Sequence, residues 1–212
     1  MASIIEKVAK PTYTHFGASE PIAPIFPDNT HPTLEVWSSA QENLKKQWQE
    51  VLGTPSFSDY DHTAKPIHHF EQSTYLGTVL KQPTSPTTEQ TILLMEPKKT
   101  LPSPTPGMVI PFYNPDRMVG LNIETQDPLT EESPLIQFGR HLVEQGYIVV
   151  CTQAFPYNTV PEPTENAGFA WWQSGAEKLL QNNPNWTGMA KLTYDTSRAL
   201  DLLLAQTNID PE

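Results

Sequence analysis

The 212-residue sequence has one cysteine, Cys151, which excludes an intrachain disulfide framework. No run approaches the roughly 18 consecutive apolar residues of a membrane-spanning helix. Basic residues are scarce: 13 Lys and Arg against 24 Asp and Glu give a net charge of −11. A nucleic-acid binder needs clustered basic residues for its phosphate contacts, so this balance argues against one. Residues Met1–Lys10 lack the apolar core of a secretory signal. We therefore predict a cytoplasmic protein that binds neither nucleic acid nor a membrane.

Catalytic signatures with fixed spacing are also missing. The Gly-x-Ser-x-Gly nucleophile elbow of serine hydrolases does not occur. The nearest match, Gly17-Ala-Ser19-Glu-Pro21, has proline where the second glycine belongs. The ten glycines are scattered singly, so no phosphate-binding loop is present, and one cysteine rules out a paired-cysteine zinc site. We predict no cofactor.

Histidines and carboxylates form one local cluster. His62, His68 and His69 lie close to Asp59 and Asp61 in the sequence, so a metal site is conceivable. Adjacent His68 and His69 would point to opposite faces of an extended stretch, however. A solvated loop is the better interpretation, and we predict no metal site.

Proline is unusually abundant and divides the chain. The 22 prolines are roughly twice the average share of about 5%. Five of them lie between Pro11 and Pro32, and proline restricts both itself and its predecessor to non-helical angles. The pattern predicts an extended N-terminal arm over residues 1–32, followed by one domain over residues 33–212.

Hydrophobic periodicity predicts helices and strands that alternate in the second half of the domain. Turn and cap residues bound four predicted helices: Thr33–Leu52, Ser133–Gly146, Glu165–Gln181 and Thr187–Gln206. Short β-branched or apolar runs give four predicted strands: His69–Leu80, Thr91–Met95, Gly107–Phe112 and Tyr147–Thr152. A strand, a helix and a second buried strand in succession indicate a parallel pair covered by helices. The expected fold class is α/β.

Few side chains in these elements suggest chemistry by themselves. Cys151 ends a buried strand and has no histidine nearby in the sequence, so it is predicted to be a small core residue. The Trp171-Trp172 pair could present a ring to a sugar or aromatic ligand. Packing of Trp172 with Phe169 in the core is the favoured alternative.

Five pieces of the sequence carry a resemblance to a known family. Met108–Asp116 and Gly139–Cys151 resemble the third strand, the following helix and the fourth strand of an α/β-hydrolase. Trp186-Thr-Gly-Met189, the Asp195-x-x-Arg198-Ala-Leu-Asp201-x-Leu pattern and Asn208–Glu212 resemble the approach to the nucleophile strand. This combination is similar to dienelactone-hydrolase-like and acetyl-xylan-esterase-like members. The resemblance implies an incomplete α/β-hydrolase sheet, containing its first four strands, with flanking helices.

The resemblance also implies a function, the hydrolysis of small-molecule carboxylic esters by a serine triad. The family orders its triad Ser, Asp or Glu, and His, and all three positions would fall beyond Glu212. The chain would then supply no nucleophile, acid or base, and we expect the isolated chain to be inactive. It would supply one oxyanion-hole donor, the backbone N–H of Phe112 or Tyr113. Asp195, Arg198 and Asp201, on the polar side of the last predicted helix, would be structural contacts.

The same resemblance predicts a partner. In this family the third strand lies between the fourth strand and the nucleophile strand, so Gly107–Phe112 would form an open edge exposing Met108, Val109, Ile110 and Phe112. A missing C-terminal half or a second chain is expected to cover it. Two alternatives stay open: a non-catalytic remnant that binds a small ligand through Trp171 and Tyr157, or a partner subunit for another hydrolase chain.

Overall fold

The computed structural model describes residues 25–26, 30–99, 104–112, 114–130, 133–163, 168–206 and 208–210. The chain divides into two units, Met1–Trp48 and Gln49–Glu212. Helix α1 (Leu34–Leu52) occupies most of the described part of the first unit. No residue of α1 is buried, and Trp37 and Trp48 are 49% and 62% exposed, so neither tryptophan is a core residue. The predicted arm over residues 1–32 lies largely outside the described residues.

A mixed five-stranded sheet forms the centre of the second unit. Its strands are β1 (Lys65–Glu71), β2 (Tyr75–Ser85), β3 (Thr88–Pro97), β4 (Gly107–Ile110) and β5 (Ile148–Thr152). The spatial order is β1-β2-β3-β5-β4. Only β4 and β5 pair in parallel; the other neighbours are antiparallel. Strands β2, β4 and β5 therefore run in one direction, and their carboxyl ends meet at one edge of the sheet, which we call the carboxyl edge.

The sheet has one more strand than the four predicted, because His69–Leu80 is a hairpin and not a single strand. Strand β1 ends at Glu71 and β2 begins at Tyr75, with the N–H of Gln72 donating to the carbonyl oxygen of Tyr75 (2.9 Å). The turn contains neither glycine nor proline, so the sequence carries no break signal there. No bulge falls at Gly77 either: this residue pairs with Phe70, whose ring covers it.

Four α-helices and a 3₁₀ turn complete the second unit's described secondary structure. They are α2 (Pro115–Val119), the 3₁₀ turn Pro134–Ile136, α3 (Phe138–Gln145), α4 (Phe169–Asn182) and α5 (Gly188–Leu204). The side chain of Ser133 caps the 3₁₀ turn, and Gly146 ends α3 at a φ of 105° that favours glycine. Thr187 caps α5 by accepting the N–H of Ala190 on its side-chain oxygen. Within the described residues, no helix combines the length and apolar character needed to cross a membrane.

Alternating residues of the sheet face two separate helical layers. On one face, side chains of β3 and β5 such as Met95 and Cys151 form a core with Val143 of α3 and Met118 of α2. On the other face, Ile92, Leu94, Ile148 and Val150 pack against α5 through Ala199 and Leu203. This arrangement confirms the predicted α/β class with flanking helices.

Two predictions about individual core residues have different outcomes. Cys151 is fully buried and burial raises the pKa of its thiol, which confirms it as a small core residue. The spacing of Leu135, Phe138, Leu142 and Val143 in the predicted helix Ser133–Gly146 predicts that all four form its inward face. Leu135 is 79% exposed instead, because it lies in the 3₁₀ turn, where the spacing of an α-helix no longer applies.

Gly139 is a test of how closely α3 packs on the sheet. A Cβ there would lie 2.6 Å from the Sγ of Cys151 and 3.0 Å from the carbonyl oxygen of Met118. We expect Gly139→Ala to lower the free energy of unfolding by about 1–3 kcal/mol through overpacking, despite alanine's better helix propensity. Urea denaturation measures this change. The matched control is the same substitution in a Cys151→Ala background, where much of the loss should disappear; an equal loss in both backgrounds would contradict the assigned contact.

Candidate functional site

The loop after β4 enters the carboxyl edge, where open α/β sheets bind their ligands. Phe112 lies two residues beyond the end of β4, and its ring centroid is 5.7 Å from that of Phe138. Asn114 then begins α2 by accepting the N–H of Arg117 on its Oδ1 (3.1 Å). A strand on one side and a capped helix on the other thus hold the loop. Tyr113 lies outside the described residues, and the oxyanion role of either amide stays a prediction.

The segment after β5, residues 153–163, also follows the carboxyl edge. Polar contacts fasten it to three helices: Asn158 Nδ2 to Asp195 Oδ2 of α5 (2.6 Å), Lys178 Nζ of α4 to the carbonyl oxygen of Thr159 (2.7 Å), and Arg117 of α2 to Glu162 (3.2 Å). Each of these three contacts uses at least one side chain. The backbone N–H of Gln153 also donates to the carbonyl oxygen of Thr91 on β3 (2.9 Å), so side-chain contacts and one backbone hydrogen bond together position the segment.

A buried ion pair anchors this segment. Lys191 Nζ lies 2.8 Å from Asp195 Oδ2, and the two side chains are only 2% and 1% exposed. The prediction that Asp195 lies on the polar side of its helix is wrong. The helix has a polar stretch on the face that packs over the sheet, one turn from the apolar residues Ala199 and Leu203. The only sequence feature that could have indicated this buried ion pair is the spacing of Lys191 and Asp195, four residues apart. The same spacing is common on exposed helices, so it does not distinguish a buried pair from a surface pair.

Two buried glutamines meet this polar part of α5. Gln82 of β2 and Gln90 of β3 are cross-strand partners, and Gln90 Nε2 donates to Gln82 Oε1 (2.9 Å). Gln90 also donates to the carbonyl oxygen of Asp195 (3.1 Å), and Gln82 donates to that of Arg198 (2.9 Å). Sequence reasoning missed both glutamines, because nothing in the sequence indicates which polar strand residues lie beneath a helix.

The carboxyl group of Asp195 is electrostatically unusual. Burial raises its pKa, while the Lys191 ammonium and the Asn158 amide act in the opposite direction. Its Oδ1 has no hydrogen-bond partner among the described residues. Its Oδ2 accepts hydrogen bonds from both Lys191 and Asn158, and the carboxyl group is closed off from solvent. These contacts suit a role in positioning the segment after β5.

The tryptophan pair meets two aromatic residues of the segment after β5. Trp171 contacts Tyr157 edge to face, with ring centroids 4.4 Å apart. Its buried Nε1 has no hydrogen-bond partner in the part of the chain that the structure describes. Trp172 contacts Phe155 at 5.9 Å. The favoured packing of Trp172 with Phe169 in the core is wrong, because Phe169 begins α4 and is 92% exposed. Tyr157 and Trp171, the predicted ligand wall, do lie together.

The histidine cluster is spread over different partners. His68 Nε2 donates to the carbonyl oxygen of Ile123 (2.8 Å), whereas His69 Nδ1 lies 2.9 Å from Thr78 Oγ1 on the neighbouring strand. Within the ranges that the structure describes, no group of three or more His, Cys, Asp or Glu residues is placed to hold a metal ion.

Strand β4 is an edge strand of the sheet. The predicted exposure of its side chains holds for Met108, but Ile110 is buried because it faces the α2–α3 layer. A parallel bridge joins Thr105, just before β4, to Ile209. The N–H of Thr105 donates to the carbonyl oxygen of Asn208 (2.7 Å), and the N–H of Asp210 donates to the carbonyl oxygen of Thr105 (2.9 Å). One isolated parallel bridge therefore lies just before the start of β4.

Comparisons with known proteins bear on the fold. No family model and no curated protein matches the sequence. One similar solved structure is a protein assigned as an acetyl xylan esterase from Bacteroides fragilis NCTC 9343, with a TM-score of 0.65 and 18% identity. The match covers 98% of this chain and 54% of that one, so this chain spans about half its length. A carbohydrate esterase family 15 glucuronoyl esterase from Caldicellulosiruptor kristjansonii has a TM-score of 0.40 and 16% identity, covering 84% of this chain and 43% of that one.

The likeness to the first of these structures establishes the fold. The five-stranded sheet with helices on both faces matches the fold of that structure and agrees with the predicted α/β class. At 18% identity the likeness concerns architecture alone.

The Lys191–Asp195 pair generates a stability prediction. Lys191→Met leaves the Asp195 carboxyl buried without its counter-charge, and breaking a buried pair in this way typically costs about 3–5 kcal/mol. We expect a loss of that order in urea denaturation. The double variant Lys191→Met/Asp195→Leu should recover most of it, because both charges are gone. A double variant as unstable as the single one would show that the pair itself is not the cause.

Asp116 generates a pH prediction. Burial raises the pKa of this carboxyl above its usual 3.8, partly opposed by a hydrogen bond from the N–H of Ile123 (2.7 Å). Because the pKa is higher in the folded state than in the unfolded state, the stability that the Asp116 carboxyl contributes is greatest below pH 3.8. This contribution is lost as pH rises through the raised pKa. Asp116→Asn keeps an oxygen acceptor but does not titrate. The free energy of unfolding of the wild type minus that of the variant should therefore fall as pH rises from 3.8 and then level off. Urea denaturation at a series of pH values measures this difference. A difference that does not change with pH would contradict the raised pKa of Asp116.

Proposed function

We propose that this chain is the sheet-forming part of a carboxylic-ester hydrolase that uses a serine triad, with the nucleophile supplied by a polypeptide segment outside these 212 residues. The chain provides the loop after β4, from which the backbone N–H of Phe112 or Tyr113 stabilises the oxyanion. The observation that carries the proposal is the shared fold with an esterase over 98% of this chain.

The position of the loop after β4 supports the oxyanion assignment. It leaves the carboxyl end of a parallel strand, next to the carboxyl end of β5, and the Asn114 cap fixes where α2 begins. A backbone amide held between two rigid elements can be oriented toward a developing negative charge without reorganising during the reaction. Removing one such donor typically slows catalysis by about 10²–10³-fold.

The outer side of β4 supports the placement of the nucleophile strand. The Thr105–Ile209 bridge directs residues 208–210 along β4 in the parallel sense, and the Ile209 side chain lies against Gly107. A strand continuing in that register would end at the carboxyl edge, beside the loop after β4. A serine at its end would then lie near the oxyanion donors. The strand can come from a longer form of the same polypeptide or from a second chain.

The first test compares the isolated chain with its natural assembly. The purified 212-residue chain should hydrolyse p-nitrophenyl acetate no faster than the same chain after heat unfolding. Material isolated from the source cells through an antibody to this chain should hydrolyse it and react with a fluorophosphonate on a serine outside these residues. A naturally occurring 23.8 kDa monomer without activity or label, or a label on this chain's own serines, would refute the proposal.

In the active assembly, the oxyanion role is tested by removing single N–H groups. Phe112→Pro and Tyr113→Pro each delete one backbone donor, while Phe112→Ala and Tyr113→Ala keep the donor and delete only the ring. We expect one proline variant to lower kcat by about 10²–10³-fold, with little change in the matched alanine variant. Equal losses in the proline and alanine variants would assign the effect to the side chains instead.

A non-catalytic ligand-binding module is the second candidate. It is favoured by the contact between Tyr157 and Trp171 and by the buried Trp171 Nε1, a donor that a ligand oxygen could satisfy. This alternative predicts that acetylated xylo-oligosaccharide changes the tryptophan fluorescence of the isolated chain. The change should vanish in Trp171→Phe and persist in the matched Trp172→Phe variant, and no assembly should show esterase activity.

A further inference from the structure

A cavity of about 160 Å³ lies at the start of β2, the end of that strand opposite the carboxyl edge. Three parts of the chain surround it: the turn between β1 and β2, the stretch from the end of α2 to Pro128, and α3. A cavity of about 150 Å³ can hold benzene, so this one has room for a single small molecule. It is separate from the loop after β4, where we propose ester hydrolysis.

Tyr75 lines this cavity and carries a buried hydroxyl without a partner. The residue is only 2% exposed, and its hydroxyl has no hydrogen-bond partner among the described residues. Burial raises the pKa of Tyr75 to about 12, so the phenol keeps its proton at neutral pH. The charges that act on this hydroxyl include those of Arg140 and Glu144, which line the same cavity. The hydroxyl is therefore an unused donor beside these two side chains, and leaving a buried donor unpaired is unfavourable.

Arg140 and Glu144 of α3 place opposite charges side by side in the wall. Arg140 donates from Nε to Glu144 Oε1 (2.9 Å) and from Nη1 to Gln137 Oε1 (3.4 Å). A guanidinium has five N–H groups, so three of them lack an acceptor within the described residues, and Glu144 Oε2 lacks a donor there. The side chains of Arg140 and Glu144 are 51% and 34% exposed, so a ligand can reach both. The pair has no net charge, but it offers donors at one end and an acceptor at the other.

The remaining wall is partly apolar. Val119 of α2 and Leu121 just after it are buried residues that line the cavity together with Pro128. A ligand that fills the space therefore needs a polar end toward α3 and an apolar end toward α2. Ligand sites commonly combine apolar walls with a few placed polar groups in this way.

We infer that this cavity binds a free α-amino acid with an aliphatic side chain, such as leucine. The carboxylate of the ligand accepts from Arg140 and from the Tyr75 hydroxyl, and its ammonium donates to Glu144. Its side chain contacts Val119 and Leu121. A ligand with a net charge would be repelled by one member of the ion pair. A neutral polyol would form weaker bonds than a zwitterion, because hydrogen bonds between charged groups are roughly twice as strong as neutral ones. The inference is independent of the proposed ester hydrolysis.

An NMR titration of the full 212-residue chain with L-leucine tests the site. Saturable shifts of backbone amide signals should appear at Tyr75 and Arg140. N-acetyl-L-leucine lacks the ammonium and L-leucinamide lacks the carboxylate, so each should bind about tenfold or more weakly, since hydrogen bonds to a charged group are lost. The inference would be overturned if leucine gave no saturable shifts at the cavity, if all three compounds bound equally, or if the neutral polyol methyl glucoside bound more tightly than leucine.

Two variants and one control test the wall. Tyr75→Phe removes only a hydroxyl that makes no hydrogen bond within the described residues, so it should not lower the urea concentration at which the chain unfolds. Tyr75→Phe and Arg140→Met should each raise the Kd for leucine about tenfold or more. Lys45→Met removes a positive charge from an exposed ion pair of α1 and should leave that Kd unchanged. An unchanged Kd in Tyr75→Phe, or equal changes in Arg140→Met and Lys45→Met, would refute the site.

Discussion

The burial of β5 on both faces is the constraint on which the second unit depends. All five residues of β5 are buried; the strand holds β3 antiparallel on one side and β4 parallel on the other. A strand without an exposed face requires a helical layer above and below, which α2–α3 and α5 provide. Because β5 joins the antiparallel strands to the parallel pair, it also fixes which strand ends meet at the carboxyl edge. The position of the candidate site follows from that arrangement.

The carboxyl edge is held together by polar groups that would be costly to bury alone. Lys191 and Asp195 neutralise each other, and Gln82 and Gln90 donate to backbone carbonyls of α5 that accept a second bond. Such pairs contribute little net stability compared with apolar packing, because desolvation offsets most of their attraction. Hydrogen bonds and ion pairs require more exact distances and angles than apolar packing does, however. Asn158 can reach Asp195 only when the segment after β5 lies in one position, so the network determines where that segment runs.

The edge of β4 relates this architecture to a function. A short parallel strand with an exposed residue such as Met108 is an interaction surface unless something pairs with it. Here the isolated Thr105–Ile209 bridge is parallel, which is the direction that the proposal gives to the nucleophile strand. The same edge therefore connects the fold shared with an esterase to the proposal that the reactive serine comes from another segment.

The sequence by itself determined the class of the fold, most of its element boundaries and the burial of Cys151, because periodicity, caps and β-branched runs are local properties. It did not indicate α2 (Pro115–Val119), a helix of five residues that is too short for a periodic pattern. Only the tertiary structure decided that His69–Leu80 is a hairpin, that Asp195 is buried with Lys191 and that Trp171 meets Tyr157. These features depend on contacts between residues far apart in the chain. A helical pattern shows which residues share a face, but what covers that face is set by the packing of the other elements.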